Sequence, residues 1–318
     1  MIAQDFKKIS EKNFEILLEH YNNNDKKLLP FLGSGISTPT GISNWVNLLV
    51  DLGKLTKKYN NKESLEKMIK ELGYPKTASI IKDEINNEDK YKSFLVNQFE
   101  PKNTLTTSTI IKIMIKFFSV VTTNYDTTLE EAIKTINFIY SENSISNVEF
   151  NTQDLPDLST SLLLEKKNIV YLHGYKRNKN FLLTENDYRY FYPSNYGGEG
   201  SEDLEEFLRS IIKDMNLVFM GFSFKDKDFM KFFKNRIEKI RLNRVRNDTK
   251  GYQSKNVENS HFAFIKLKDK GDEEQYKMLN DMNIKPIYYE GNYSNLEDWL
   301  HQIKKIEIKD NQGYPDAI

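Results

Sequence analysis

Short apolar runs alternate with amphipathic segments along most of the chain. Strands are predicted at the apolar runs, which are residues 28–32, 118–121, 169–172, 217–220, 261–265 and 284–289. Continuous apolar runs of this length are typical of strands that are buried on both faces of a parallel sheet. The pattern therefore predicts an α/β fold with a Rossmann-like, doubly wound and mostly parallel sheet.

Apolar residues at helical spacing fill the segments between these strands. Helices are predicted at residues 13–21 and 45–55, and Lys- and Glu-rich segments with the same spacing occupy residues 57–116. The apolar faces of that last region consist of Leu65, Met68, Ile69 and Leu72, and of Phe94, Leu95 and Phe99.

These patterns also predict the domain organisation. We expect a Rossmann-like domain at residues 1–56 and 119–305, a helical insertion or subdomain at 57–118, and a C-terminal tail at 306–318. The insertion is a candidate lid or assembly surface, and it fits a purely structural role equally well.

Composition and charge exclude several classes of function. The chain has 46 Lys and Arg and 46 Asp and Glu residues, so its formal net charge is zero, which argues against direct nucleic-acid binding. No apolar run reaches the roughly twenty residues that span a bilayer, and residues 1–6 lack the pattern of a signal peptide. We therefore expect a cytoplasmic protein with no membrane partner. Cysteine is absent, which excludes disulfides, thiol catalysis and cysteine-bound zinc.

Residues 33–37, Gly-Ser-Gly-Ile-Ser, follow the first predicted strand and are called the first glycine loop. Glycine lets a backbone approach a pyrophosphate closely, and a helix after the turn would offer free N–H groups and a positive dipole end. The dehydrogenase fingerprint needs another glycine where Thr38 stands, and the Gly-Lys-Ser/Thr of a P-loop does not occur. The loop is a candidate phosphate site, and it also fits a tight structural turn.

Three further polar motifs follow predicted strands. They are Thr123-Asn124-Tyr125-Asp126, His173-Gly174 and the second glycine loop, Gly221-Phe222-Ser223. Parallel strands end at one edge of a sheet, where α/β proteins bind ligands, so these motifs are expected to meet there. Each has a structural alternative: an Asn/Asp cap on a helix near Thr127, a structural histidine, and a strand-to-helix junction capped by Ser223 or Asp226.

Together the four motifs resemble those of the sirtuin-related SIR2-like family. The first glycine loop with Gly41-Ile42 resembles the family's Gly-Ala-Gly-Ile-Ser…Gly-Ile-Pro, and residues 123–126 resemble its Gln-Asn-Ile-Asp. His173-Gly174 is similar to its His-Gly, and the second glycine loop is similar to its Gly-Thr-Ser. Residues 183–188 and the acids after Phe224 resemble the prokaryotic SIR2-like branch, which is associated with NAD⁺ hydrolysis in antiphage systems.

The differences from sirtuin deacylases concern the zinc module and the peptide site. Deacylases carry four zinc-binding cysteines, which this chain lacks. Where they have Gly-Ile-Pro-Asp-Phe-Arg, this chain has Gly-Ile-Ser followed by Asn44, Trp45 and Val46. The aromatic ring is kept, but the acid and the arginine are not. These differences favour simple hydrolysis of NAD⁺ over deacylation.

The resemblance implies an NAD⁺ glycohydrolase that cleaves the nicotinamide–ribose bond and serves as the toxic effector of a bacterial antiphage, abortive-infection system. It implies NAD⁺ as the substrate, no metal, and catalytic roles for Asn124, His173 and Asp126. It also implies that the cofactor-binding residues are Gly33, Ser34, Gly35, Ile36, Ser37, Trp45, Thr123, Gly221, Phe222 and Ser223.

The resemblance also bears on partners and leaves alternatives open. Expected partners are other copies of the chain in a homo-oligomer, and a separate sensor, ATPase or Argonaute-like protein. One alternative function is an NAD-dependent protein deacylase or ADP-ribosyltransferase on the same fold. Another is a non-catalytic sensor or scaffold that binds NAD⁺ or ADP-ribose.

Overall fold

The structure of the chain is a computed structural model that describes residues 3–102, 108–141, 149–154, 158–160, 162–249, 260–268, 272–291 and 293–303. The predicted tail at 306–318 lies outside these residues. Within them, seven strands form one sheet in which every neighbouring pair is parallel. No helix in this part of the chain is long and apolar enough to cross a bilayer.

The order of the strands makes the sheet doubly wound. In chain order the strands are β1 (Leu28–Leu32), β2 (Val120–Thr122), β3 (Asn151–Asp154), β4 (Asn168–Tyr171), β5 (Asn216–Met220), β6 (His261–Lys266) and β7 (Ile284–Tyr289). Across the sheet the order is β3-β4-β2-β1-β5-β6-β7. The first half of the fold therefore lies on one side of β1 and the second half on the other, with the switch point between β1 and β5. The predicted Rossmann-like α/β fold is confirmed.

Helices connect the strands and cover both faces of the sheet. They are α1 (Ala3–Asn24), α2 (Trp45–Gly53), α3 (Lys62–Leu72), α4 (Tyr74–Ile85), α5 (Glu88–Gln98), α6 (Ser108–Lys116), α7 (Thr128–Ser141), α8 (Leu162–Glu165), α9 (Glu185–Phe191), α10 (Pro193–Tyr196), α11 (Asp203–Asp214), α12 (Lys227–Thr249), α13 (Asp272–Asp281) and α14 (Tyr293–Gln302). Side-chain caps begin several of them. Asn44, Asn61 and Asn87 accept the N–H groups at the starts of α2, α3 and α5.

Alternating residues of each central strand pack into two hydrophobic clusters, one on each face of the sheet. Phe31 of β1 belongs to the first cluster, with residues of α9, α11 and α12. The adjacent Leu32 belongs to the second cluster, with residues of α1, α6, α7 and α14. Because side chains alternate between faces, a strand that packs on both sides must be apolar at every position, as β1 is.

A third hydrophobic cluster holds helices α2 to α5 together. It includes Leu48 of α2, Leu65 and Ile69 of α3, Ile81 of α4 and Leu95 of α5. The next helix, α6, packs instead against the sheet, since its apolar side chains belong to the second cluster. Helices α3 to α6 agree with the helical pattern of the sequence in this region, while the domain boundaries drawn there stay a prediction.

Two local expectations were wrong. Strand β3 was not predicted, because Asn151-Thr152-Gln153-Asp154 is polar and lies at the sheet edge with Gln153 alone buried. No α-helix follows the first glycine loop directly, because a short 3₁₀ helix, Thr38–Thr40, comes first and ends at Gly41 with a φ of 83°. Helix α2 begins only at Trp45, so it does not continue directly from the loop.

The two glycine loops contact each other at the switch point. The N–H of Gly33 donates to the carbonyl of Met220 at 3.0 Å, and the N–H of Gly35 donates to that of Gly221 at 3.0 Å. A Cβ on Gly33 would lie 2.6 Å from both the Gly221 oxygen and the Phe222 Cα. Glycine at position 33 is thus required by loop packing, whatever the loop binds.

Replacing Gly33 with alanine is expected to lower the free energy of unfolding by about 1–3 kcal/mol, as overpacking does elsewhere. Chemical denaturation measures the change. Gly198→Ala is the matched control, because an added Cβ there meets nothing within 4 Å. Equal stability of the two variants would contradict the loop contact.

Candidate functional site

A cavity of about 1170 Å³ lies at the carboxyl edge of the sheet. One wall is formed by the segments that follow β1, β2, β4 and β5, and the other by α2, α3 and the start of α4. Of the site residues predicted from sequence, those that line the cavity are Gly33, Ser34, Trp45, Thr123, Asn124, Asp126, His173, Phe222 and Ser223. The predicted residues absent from that lining are Gly35, Ile36, Ser37 and Gly221.

Asn124 is held in one orientation by its own side-chain amide. Its Nδ2 donates to the carbonyl of Gly33 at 3.2 Å and to the Ser37 hydroxyl at 3.0 Å, and its backbone N–H donates to the Thr122 hydroxyl at 3.0 Å. An amide group has two donor hydrogens and one acceptor oxygen, so both donors are used. Oδ1 is left as the acceptor that Asn124 can offer a ligand.

Asp126 lies behind this contact and begins the next helix. Its side chain is 3% exposed, and Oδ1 accepts the N–H of Thr128 at 3.0 Å, so it caps α7. Burial raises the pKa of Asp126, while hydrogen bonds from Thr128 and the Ser37 hydroxyl act in the opposite direction. Ser37 therefore links Asn124 to Asp126, and these contacts favour a positioning role for Asp126.

Most backbone donors of the first glycine loop are already used within the protein. The N–H groups of Gly33 and Gly35 bond to the second glycine loop and its strand, while those of Ile36 and Ser37 bond to Gly33 and Ser34 carbonyls. Among the described residues, the N–H of Ser34 has no such partner, and Ser34 lines the cavity. The loop thus offers one free N–H group rather than a full cradle.

The second glycine loop carries an unusual backbone conformation. Gly221 and Phe224 have φ values of 64° and 56°, and a positive φ is uncommon outside glycine. The Phe224 ring is held by Phe219 and Phe222, with ring centroids 5.2 and 5.1 Å away. This aromatic packing holds the turn that places Phe222 and Ser223 on the cavity.

His173 is a buried, neutral imidazole. It is 3% exposed, and its Nε2 lies 3.2 Å from the Tyr192 hydroxyl and 4.0 Å from Oδ2 of Asp226. Burial lowers the pKa of His173 to about 3, against a smaller upward effect of Asp228. The ring contacts Tyr188 and Tyr192 edge-on, so its orientation is fixed by packing as well as by hydrogen bonding.

Several cavity residues were not predicted from the sequence. Tyr188, Asp226 and Asp228 lie beside His173, and the only signal for them was the family pattern at residues 183–188 and after Phe224. The opposite wall contributes Tyr74, whose ring lies 5.5 Å from that of Trp45. An amphipathic helix looks the same whether its exposed end faces solvent or a cavity, so no local signal could have found Tyr74.

Lysines at the cavity supply positive charge. They are Lys70, Lys76, Lys225, Lys227 and Lys231. Of these, Lys231 donates to the carbonyl of Asn195 at 2.6 Å. Among the described residues, no group of three or more His, Cys, Asp and Glu side chains is arranged to hold a metal ion.

The ring resonances of His173 are expected to stay constant between pH 8 and pH 5, because the folded protein keeps this imidazole neutral down to about pH 3. Two-dimensional NMR of histidine-labelled protein measures this, with His173→Asn used to assign the signals. A titration midpoint for His173 between pH 5 and pH 8 would contradict its burial as a neutral ring.

Comparison with known proteins identifies the family. The family profile described as the SIR2-like domain matches residues 119–287, and no curated protein matches the chain. The matched stretch is more than half of the chain and contains Asn124, His173 and the second glycine loop, whereas the first glycine loop precedes it. The SIR2-like family uses NAD⁺, so the match supports an NAD-related function. The chain belongs to the SIR2-like family.

Proposed function

We propose that the protein is an NAD⁺ glycohydrolase that cleaves the nicotinamide–ribose bond to give nicotinamide and ADP-ribose. The observation that carries the proposal is the fixed amide of Asn124, with both donors bound to the first glycine loop. A residue that only lined a pocket would not need its acceptor oxygen held in one direction. The family match supports NAD⁺ as the ligand.

The chemistry of the cavity fits NAD⁺ as a substrate. Its volume of about 1170 Å³ exceeds the roughly 300–1,000 Å³ of most small-molecule sites, so a dinucleotide can enter. The free N–H of Ser34 and the lysine side chains are suited to the pyrophosphate. Trp45 and Tyr74 offer aromatic surface for a base or the nicotinamide ring. The donor set thus includes polar, cationic and aromatic groups, as a dinucleotide requires.

The geometry supports a direct displacement by water. As the nicotinamide–ribose bond breaks, positive charge develops on the ribose while nicotinamide leaves as a neutral molecule. The Oδ1 atom of Asn124 would accept a hydrogen bond from the attacking water or a ribose hydroxyl and so orient it. His173, neutral at physiological pH, would act as a fixed hydrogen-bonding partner rather than a charged group.

Asn124→Ala is expected to reduce kcat/KM for nicotinamide release by at least about a hundredfold, as loss of one positioned hydrogen-bonding group does in other enzymes. The measurement is chromatography of free nicotinamide and ADP-ribose after incubation of purified protein with NAD⁺. Asn280→Ala, at an exposed position of α13, is the matched control and should keep the wild-type rate.

The same assay separates the alternatives. Nicotinamide release that requires an acetyl-lysine peptide would favour a deacylase, and transfer of label to protein would favour an ADP-ribosyltransferase. Tight NAD⁺ binding without nicotinamide release, by the assembled protein as well, would favour a sensor.

We also propose that the activity is regulated by self-assembly or by a separate partner. Size-exclusion analysis of the same sample therefore accompanies the assay. A fully active monomer would contradict that regulation.

We further propose that the activity serves antiphage defence by depleting NAD⁺. The support is the resemblance to the prokaryotic SIR2-like branch. In a bacterial host that expresses the protein, infection by a phage that triggers it is expected to lower cellular NAD⁺ and reduce phage yield. The Asn124→Ala variant should do neither. If no phage in a broad panel changes NAD⁺ in cells with the wild-type protein, the defence role is contradicted.

A further inference from the structure

Asp226 is held at the base of the cavity by two sets of contacts. Its Oδ1 accepts the N–H groups of Asp228 and Phe229 at 3.1 and 3.0 Å, which caps the start of α12. Its Oδ2 accepts the Tyr188 hydroxyl at 3.0 Å. One oxygen is therefore committed to the backbone, while the other lies on the side of the aromatic residues that surround His173.

The Oδ2 atom of Asp226 and the Nε2 atom of His173 are 4.0 Å apart. That separation is too long for a direct hydrogen bond, so the carboxylate and the imidazole are not joined to each other. Both residues line the same cavity as Asn124. The Tyr192 hydroxyl already lies 3.2 Å from Nε2, so the Oδ2 atom of Asp226 is the point of the pair that stays open to a water or hydroxyl oxygen in the cavity.

We propose that Asp226, and not His173, accepts the proton of the attacking water. The proposal rests on the proposed NAD⁺ glycohydrolase function. In the step, a water oxygen forms a bond to the ribose carbon, and the bond from that carbon to nicotinamide breaks with its electron pair leaving on nicotinamide. One water proton passes to Oδ2 of Asp226 and is later released to solvent.

Burial affects the two candidate bases in opposite directions. It raises the pKa of the Asp226 carboxyl, against smaller effects of the hydrogen bonds from Phe229, Tyr188 and Asp228. It lowers the pKa of His173 to about 3. A base is more effective when its pKa lies closer to the working pH. Burial therefore improves the carboxylate as a proton acceptor and weakens the imidazole.

The titratable groups that face Asp226 determine the charge around its carboxylate. These groups are His173 after β4, Tyr188 and Tyr192 of α9 and the segment after it, Tyr125 after β2, and Asp228 in the first turn of α12. The four aromatic groups stay neutral at physiological pH, because burial raises the pKa of each tyrosine and lowers that of His173. Among these neighbours Asp228 is the acid, and Asn195 and Tyr196 donate to its carboxylate.

The test compares the pH dependence of kcat/KM for nicotinamide release in the wild type, Asp226→Asn and Tyr188→Phe. Asparagine keeps a side-chain oxygen that can cap α12, so the first variant removes the charge with little change of shape. Tyr188→Phe keeps the ring and removes the hydrogen bond that lowers the pKa of Asp226. Asp281→Asn, an exposed residue of α13, is the matched control and should behave as wild type.

The wild type is expected to lose activity with falling pH through a midpoint above the ordinary aspartate value of about 3.9. Asp226→Asn should lower kcat/KM by at least about a hundredfold and abolish that limb. Tyr188→Phe should move the limb to higher pH, a shift that a purely structural role of Tyr188 would not produce. Thermal melting of each variant checks that it is folded.

Three results would count against the proposal, and they are distinguishable. A wild-type midpoint near pH 3 would assign the proton to His173. Asp226→Asn with wild-type kcat/KM, or Tyr188→Phe with an unmoved limb, would overturn the role of Asp226 while leaving the glycohydrolase intact. A wild type that releases no nicotinamide would instead contradict the proposed function, and the Asp226 assignment with it.

Discussion

The contact between the two glycine loops is the constraint on which the rest of the site depends. Neither Gly33 nor Gly221 has room for a Cβ, and hydrogen bonds from Gly33 to Met220 and from Gly35 to Gly221 join the two loops across the switch point. The same Gly33 carbonyl accepts the amide of Asn124. The close approach of the two backbones therefore fixes the loops at the ends of β1 and β5. Through the Gly33 carbonyl it also fixes the direction of the Asn124 side-chain oxygen.

Burial also affects the site, because it shifts the pKa of an imidazole and the pKa of a carboxyl group in opposite directions. An imidazole loses its proton more readily when buried, and a carboxyl group keeps its proton more readily, because water is withdrawn from the charged form in both cases. His173 and Asp226 both line the cavity and show these two effects side by side. In this chain the burial of His173, and not the motif alone, sets the protonation of its ring.

The central sheet was predictable from sequence because its strands are apolar on both faces, and the residues at their ends were predictable because parallel strands share an edge. Three features could not be predicted from the sequence. Strand β3 is polar and forms part of the sheet only through its backbone pairing with β4. The first glycine loop looked like a phosphate cradle, but the N–H groups of Gly33 and Gly35 bond to a segment almost two hundred residues away in sequence. Asp226 looked like a helix cap, which it is, yet its other oxygen faces His173. In each case the deciding contact is long-range, and local pattern carries no information about it.

The packing of the helical wall has a consequence for how the lining of the cavity can change. The strands pack in the two clusters of the sheet, whereas α3 and the start of α4 pack in the third cluster, which also contains Tyr125 next to Asn124. Exposed residues of the helical wall, such as Leu72 and Lys76, can therefore be exchanged without disturbing the packing beneath Asn124 or His173. The exposed positions of the helical wall are therefore where the lining of the cavity can change most freely, whereas its buried positions are coupled through Tyr125 to the segment that carries Asn124.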